Sequence, residues 1–183
     1  MAESKMAQNG VEFSRQASER YQWLLTRYPR KEAALLPTLR LAEQEFGSLG
    51  PVELKYVADL MGFPPARVYG VFTFYTHYRR KGTGKYHLQV CSTLSCALRG
   101  SQQLVGRLCE RLGVRAGETT EDGLFTVSKV ECLASCDTAP VIQINDDYYE
   151  NLSLEKVDAL IDSLRAEELP SPKKSGSRGK GKK

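Results

Sequence analysis

Four cysteines set in two pairs, Cys91-x4-Cys96 and Cys132-x3-Cys136, constrain this chain more than any other feature, with thirty-five residues between the pairs. A fifth, Cys109, stands apart. The ten residues from Met1 to Gly10 contain no apolar stretch of the kind a secretory signal needs. An odd cysteine count without an export signal argues against a disulfide framework and for metal binding or redox chemistry.

Each pair falls where a strand gives way to a loop. Tyr86, Leu88 and Val90 alternate with His87 and Gln89, which predicts a strand ending at Cys91. A second strand is predicted over Leu124 to Val130, just ahead of Cys132. Between them, Leu104, Val105, Leu108, Cys109 and Leu112 mark one face of a helix from about Gly100 to Leu112. Val141 to Ile144 and Tyr148 to Glu150 read as a hairpin around Asn145-Asp146-Asp147. Ser153 caps a last helix through Leu154, Val157, Leu160, Ile161 and Leu164. The order strand, helix, strand, strand, strand, helix predicts a small α/β sandwich of thioredoxin-like kind. Strand ends on one edge of such a sheet bring both cysteine loops to one place.

The half that precedes this sandwich reads as helical. Phe13, Ala17, Tyr21, Leu24 and Tyr28 lie on one face of a helix within Glu12 to Tyr28. A second helical stretch covers about Lys31 to Phe46, in which Pro37 marks either a kink or the true start. Pro51 opens a third helix that Gly62 ends, and Pro64-Pro65 opens a fourth through Val68 and Phe72. Arg79 to Lys85, with Gly82 and Gly84, reads as the hinge between the halves.

Spacing narrows what four thiols would hold. Zinc knuckles favour C-x2-C pairs, whereas loops of four and three residues suit a cluster that spans two irons. A thioredoxin-type redox pair and the plant-type ferredoxin run are both absent. His77 and His87 precede Cys91 and do not fit Rieske ligation. The spacing favours a 2Fe–2S cluster; a structural zinc site and four unrelated buried cysteines stay open. A four-thiolate cluster carries about −2 when oxidised, so donors to sulfur favour its reduction. The helix after Cys96 is expected to aim its N-terminus at the cluster, with Arg99 nearby. Ser92, Thr93, Ser95, Ser135 and Thr138 are candidate donors.

With these motifs the sequence resembles the small 2Fe–2S subunit of the NADH-dehydrogenase flavoprotein module of respiratory complex I. The resemblance covers roughly Arg20 to Leu164. It includes Pro64-Pro65-Ala66-Arg67-Val68-Tyr69, Phe74-Tyr75, and Gly84 through Cys91. It continues through Val130-Glu131-Cys132-Leu133, Cys136-Asp137-Thr138-Ala139-Pro140 and Gln143 to Tyr149. The resemblance implies a thioredoxin-like 2Fe–2S ferredoxin domain preceded by an α-helical segment. It implies that one cluster is held by Cys91, Cys96, Cys132 and Cys136, and that a larger subunit binds FMN and NADH. It further implies a cytoplasmic location, in the peripheral arm of a membrane-bound complex. Related subunits serve NAD-linked hydrogenases and formate dehydrogenases, which leaves the host open. The family usually has glycine where this chain has Ala134, which the loop tolerates if the φ there is negative.

The remaining features set expectations for partners. No G-x-G-x-x-G follows a strand, and Gly82-Thr83-Gly84-Lys85 lacks the rest of a phosphate loop, so hydride chemistry is expected on a partner. Leu54 to Phe74 has a helix–turn–helix pattern, but Arg67 is the lone basic residue of its second helix, and nucleic acid is not an expected partner. Tyr69, Phe72, Phe74, Tyr75 and Tyr78 are expected either to bind a partner or to form core. Cys109, His77 and His87 are expected to be structural. The chain carries +4, yet the stretch from Ser171 to Lys183 holds six basic residues and no acid, which leaves the rest mildly acidic. That tail is expected to solubilise, or to touch acidic protein or anionic lipid. No run of roughly eighteen apolar residues predicts membrane insertion. The expected layout is a disordered start at 1–11, a helical partner-binding segment at 12–80, the cluster domain at 85–168 and a disordered basic tail at 169–183.

Overall fold

Ser14 starts the first helix, its hydroxyl accepting the Ala17 N–H at 3.2 Å. The structure, a computed structural model, describes residues 11–168. Of the ends expected to be disordered, 1–11 and 169–183, all but Val11 lie outside the described residues. The chain divides after Lys85 into two compact units.

The first unit is helical: α1 Arg15–Thr26, α2 Leu35–Phe46, α3 Pro51–Met61 and α4 Pro65–Phe74. One 3-10 turn, Lys31–Ala34, leads into α2. Pro37 is therefore the third residue of α2, among the amides that have no helical partner anyway, and marks a start rather than a kink. Gly47 and Gly62 end α2 and α3 at φ 76° and 65°, where a side chain would be strained. Glu53 accepts the Gly50 N–H at 2.9 Å and closes the first turn of α3. The core is built on Leu39, Val57, Ala58, Met61, Val68 and Phe72. Phe72 and Tyr78, two of the five aromatics offered for a partner or for core, belong to this core. Tyr75 packs against it, whereas Tyr69 is exposed and Phe74 is 78% exposed. Arg67, the basic residue of α4, lies over the Phe63 ring at 4.8 Å. His77 lies against Tyr78, with ring centroids 4.2 Å apart and planes tilted by 44°.

The second unit is an α/β sandwich: β1 Tyr86–Cys91, α5 Leu94–Leu98, α6 Ser101–Leu112, β2 Phe125–Val130, β3 Ile142–Ile144, β4 Asp147–Tyr149 and α7 Leu154–Glu168. The sheet order is β2-β1-β3-β4. β1 and β2 run parallel, and the other neighbours are antiparallel. Leu88, Val90, Phe125, Val127, Ile142 and Ile144 form the apolar core with α6 and α7. Each fully buried side chain of this kind contributes about 1.5–3 kcal/mol. Arg107 on α6 holds Asp158 on α7 through two nitrogens, at 3.0 and 2.7 Å. Ser153 caps α7 by accepting the Lys156 N–H at 3.3 Å. Cys109 is half-buried and packs against this core, and His87 Nε2 lies 2.9 Å from the Ser128 hydroxyl.

One element departs from expectation. Cys96 lies not in an open loop but inside the five-residue α5, and α6 begins where the sequence put it, after Gly100 turns at φ 92°.

Candidate metal centre

The parallel pairing of β1 with β2 sets Cys91 opposite Val130, two residues before Cys132. Both strands run off the same edge of the sheet, so the two cysteine loops leave it side by side. Ser92 extends the pairing, its N–H donating to Val130 O at 3.0 Å and its hydroxyl to the same oxygen at 2.9 Å. The Cys91 N–H donates to Val141 O at 3.2 Å, which brings in the start of the hairpin. Cys91 and Cys96 are each 2% exposed and share a small apolar cluster with Ala139, Val141 and Leu133. Cys132 and Cys136 are exposed. The centre thus has a dry inner pair and an open outer pair.

Within the outer pair the sulfurs stand 3.8 Å apart. Thiolate bonds of about 2.3 Å to one tetrahedral metal set two sulfurs about 3.8 Å apart, so this pair has the span of two ligands on one ion. The Cys96 thiol is a hydrogen-bond partner of the Cys91 sulfur. The donors present are four thiols in two pairs, the ligand type and number that a 2Fe–2S cluster takes.

The sulfurs are surrounded by donors, of which the sequence had pointed to the Thr93 hydroxyl alone. Burial pushes the Cys91 thiol up, but the Thr93 hydroxyl at 3.3 Å, the N–H groups of Thr93 and Leu133, and the Cys96 thiol outweigh it and hold Cys91 below its ordinary value. Burial, then the Cys91 sulfur, raises Cys96 against the Val141 N–H. The Ala134 N–H, at 3.3 Å, lowers Cys132, helped by the Thr93 hydroxyl and the Cys136 thiol. Thr93 thus reaches a sulfur of each pair, and the Leu133 N–H crosses from the second loop to the first. The amides among these donors come from the two cysteine loops and the start of α5.

Three of the other four hydroxyls make hydrogen bonds elsewhere. Ser92 donates to Val130 O, while Ser135 donates to Glu150 and stands 2.7 Å from the Thr138 hydroxyl. Of the five hydroxyls expected near sulfur, Thr93 is placed there by hydrogen bonds to two cysteines. Ala134 also departs from expectation: its φ is +62°, the left-handed region, rather than negative. The turn costs an alanine roughly 1–2 kcal/mol and aims its N–H at Cys132. Backbone donors carry no side-chain signature, so sequence reading missed Leu133, Ala134 and Val141. Tyr148 and Glu150 were missed because their partners lie a loop away.

Residues 21–165 match the profile of the thioredoxin-like [2Fe-2S] ferredoxins. NADH-quinone oxidoreductase subunit 2 of Thermus thermophilus is 49% identical over 151 residues, covering 80% of this chain and 83% of the relative. An NADH-quinone oxidoreductase subunit of Rickettsia conorii is 48% identical over 146 residues, covering 78% of this chain and 87% of the relative. The structure of an NAD+-reducing [NiFe]-hydrogenase in its air-oxidized state aligns with a TM-score of 0.63 at 24% identity, a likeness of fold. It covers 74% of this chain, which spans 23% of that hydrogenase chain. A mixed sheet with two thiol pairs at the ends of its parallel strands defines an α/β iron–sulfur class. The chain belongs to the thioredoxin-like [2Fe-2S] ferredoxin family.

Proposed function

We propose that Cys91, Cys96, Cys132 and Cys136 hold one 2Fe–2S cluster, and that the chain passes electrons as the small subunit of the NADH-oxidising module of an NADH-quinone oxidoreductase. The observation that carries this reading is the parallel register of β1 and β2, which sets two thiol pairs on one sheet edge. A bound cluster takes up and gives up one electron at a time. The Thr93 hydroxyl and the N–H groups of Leu133, Ala134 and Val141 stabilise negative charge on sulfur. Val141, Ala139 and Leu133 keep water from the inner pair. The open side, at Cys132 and Cys136, faces the route by which electrons enter and leave.

The partner in this reading is a larger subunit that binds FMN and NADH. The names of relatives at 48–49% identity support a complex of this kind. They also favour the quinone-linked host over an NAD-linked hydrogenase or formate dehydrogenase module. In this reading hydride chemistry belongs to the partner, which supplies the NADH and flavin sites. Exposed Leu94 and Leu98 on α5, beside Cys96, suit an apolar contact with that partner, as do Tyr69 and Phe74 on the helical unit. Among the described residues no helix is long and apolar enough to cross a membrane. We place the chain in the peripheral arm of the complex on the cytoplasmic side, with contact of its tail to acidic protein or lipid part of the same proposal.

The test is anaerobic purification with iron and sulfide counted, and EPR before and after dithionite. About two irons and two sulfides, with an S = ½ signal on reduction, are expected. Serine at any of the four cysteines should abolish the signal. One zinc without sulfide would leave a structural metal module instead.

A further inference from the structure

The second cysteine loop has little structure of its own. Its one regular piece is the 3-10 turn Cys136–Thr138. It is held from outside by the residues that end the β3–β4 hairpin. Tyr148 donates its phenol to Leu133 O at 3.1 Å, and the Asn151 N–H donates to Thr138 O at 2.7 Å. Between these two neutral ties lies Glu150, fifteen residues from Ser135 in sequence. Its carboxylate accepts the Ser135 hydroxyl, and the Thr138 hydroxyl bonds it too. Ser135 and Thr138 stand 2.7 Å apart on the two sides of Cys136 and Asp137. Among the described residues the partners of Glu150 are hydroxyls, not cations.

We propose that Glu150 is a positioning residue for the Cys132–Cys136 half of the centre and a fixed charge that lowers the potential of the group bound there. It acts through Ser135. The carboxylate ties the turn around Cys136 to the hairpin, so the outer thiol pair keeps its spacing although it is exposed. It also engages the Ser135 hydroxyl, which is then not available to a sulfur. Its negative charge is tied to the hydroxyl next to Cys136, the turn that would hold a group gaining negative charge on reduction. The diverted donor and the charge work in the same direction, since each disfavours the reduced state. The proposal rests on the cluster reading above.

The experiment uses the full chain loaded with iron and sulfide, as wild type, Glu150→Gln, Glu150→Ala, Ser135→Ala and the Glu150→Ala/Ser135→Ala double variant. Midpoint potentials are read by EPR-monitored titration, and cluster loss by the rate of iron transfer to a chelator. Far-UV circular dichroism checks folding. Glu150→Gln keeps an acceptor for Ser135 and removes the charge, so it should retain the cluster with a raised midpoint. Glu150→Ala should raise the midpoint and lose iron about tenfold faster. If the carboxylate holds the turn through Ser135, the double variant loses iron no faster than Ser135→Ala alone. An unmoved midpoint in Glu150→Gln, or loss rates that multiply in the double variant, overturns the proposal. A wild type that takes up no iron and sulfide overturns the cluster reading and this proposal with it. A loaded wild type whose variants match it overturns this proposal alone.

Discussion

The Ala134 N–H reaches the Cys132 sulfur at 3.3 Å from a backbone turned to φ 62°. The strain and the hydrogen bond are one feature, because the left-handed turn is what reverses the loop between Cys132 and Cys136. Glycine adopts that turn without the clash of a Cβ. Ala134→Gly should therefore raise the stability of the cluster-free chain by about 1 kcal/mol, with iron content unchanged after loading. Urea unfolding of the unloaded protein reads the gain. A β-branched residue is worse placed than alanine, so Ala134→Val should lose stability and load less iron. Equal urea midpoints for wild type and Ala134→Gly would show that the loop carries no strain.

Thr93 is the hydroxyl that the fold delivers to sulfur, at 3.3 Å from Cys91 and within reach of Cys132. A donor to a cluster sulfur stabilises the more negative, reduced form. Thr93→Val keeps the shape and removes the donor, so the midpoint potential should fall, whereas Thr93→Ser should hold it near wild type. An EPR-monitored titration of the three proteins separates them. If valine and serine shift the midpoint alike, the effect comes from packing and not from the hydroxyl.

Cys109 lies on α6, half-buried against the sheet core, and burial raises its thiol pKa. It is far from nucleophilic character and is not among the proposed ligands. Cys109→Ala should leave iron and sulfide counts at the wild-type level and cost on the order of 1 kcal/mol in unfolding. A loss of iron in this variant would move Cys109 into the centre.

Side-chain pattern revealed what depends on local chemistry. Pro51 and Pro65 at helix starts, the alternation of Tyr86, Leu88 and Val90, and the face of α6 all follow from periodicity and stereochemistry within a few residues. The helix α5 left no such trace, because it is five residues long and its Leu94 and Leu98 point to solvent rather than to a core. Without that helix in view, α6, its start rightly read near Gly100, was taken as the first helix after Cys96. The φ of Ala134 was hidden for the opposite reason: glycine announces a left-handed turn, and alanine does not. The fate of the hydroxyls depended on tertiary partners. Ser135 has the same local sequence whether it faces a sulfur or Glu150, and the hairpin decides between them.

Glu53 makes the helical unit sensitive to acid. The carboxylate is 4% exposed and accepts the Gly50 N–H at 2.9 Å and the Lys81 ammonium at 2.6 Å. Burial pushes its pKa up, but the Lys81 ammonium and the backbone N–H groups outweigh burial and hold it below the ordinary 4.5. The unfolded chain therefore binds this proton more readily than the folded one. The stabilisation is fully present above the unfolded value and drains away as pH falls through the folded value. Glu53→Gln should cost about 1 kcal/mol at pH 7, and Lys81, half-exposed, returns to water. On acidification the wild type should lose stability faster than the variant, so their urea midpoints converge below pH 4.5. A gap between the two proteins that stays constant from pH 7 to about pH 3 would show that Glu53 keeps an unshifted pKa and serves only as a neutral cap.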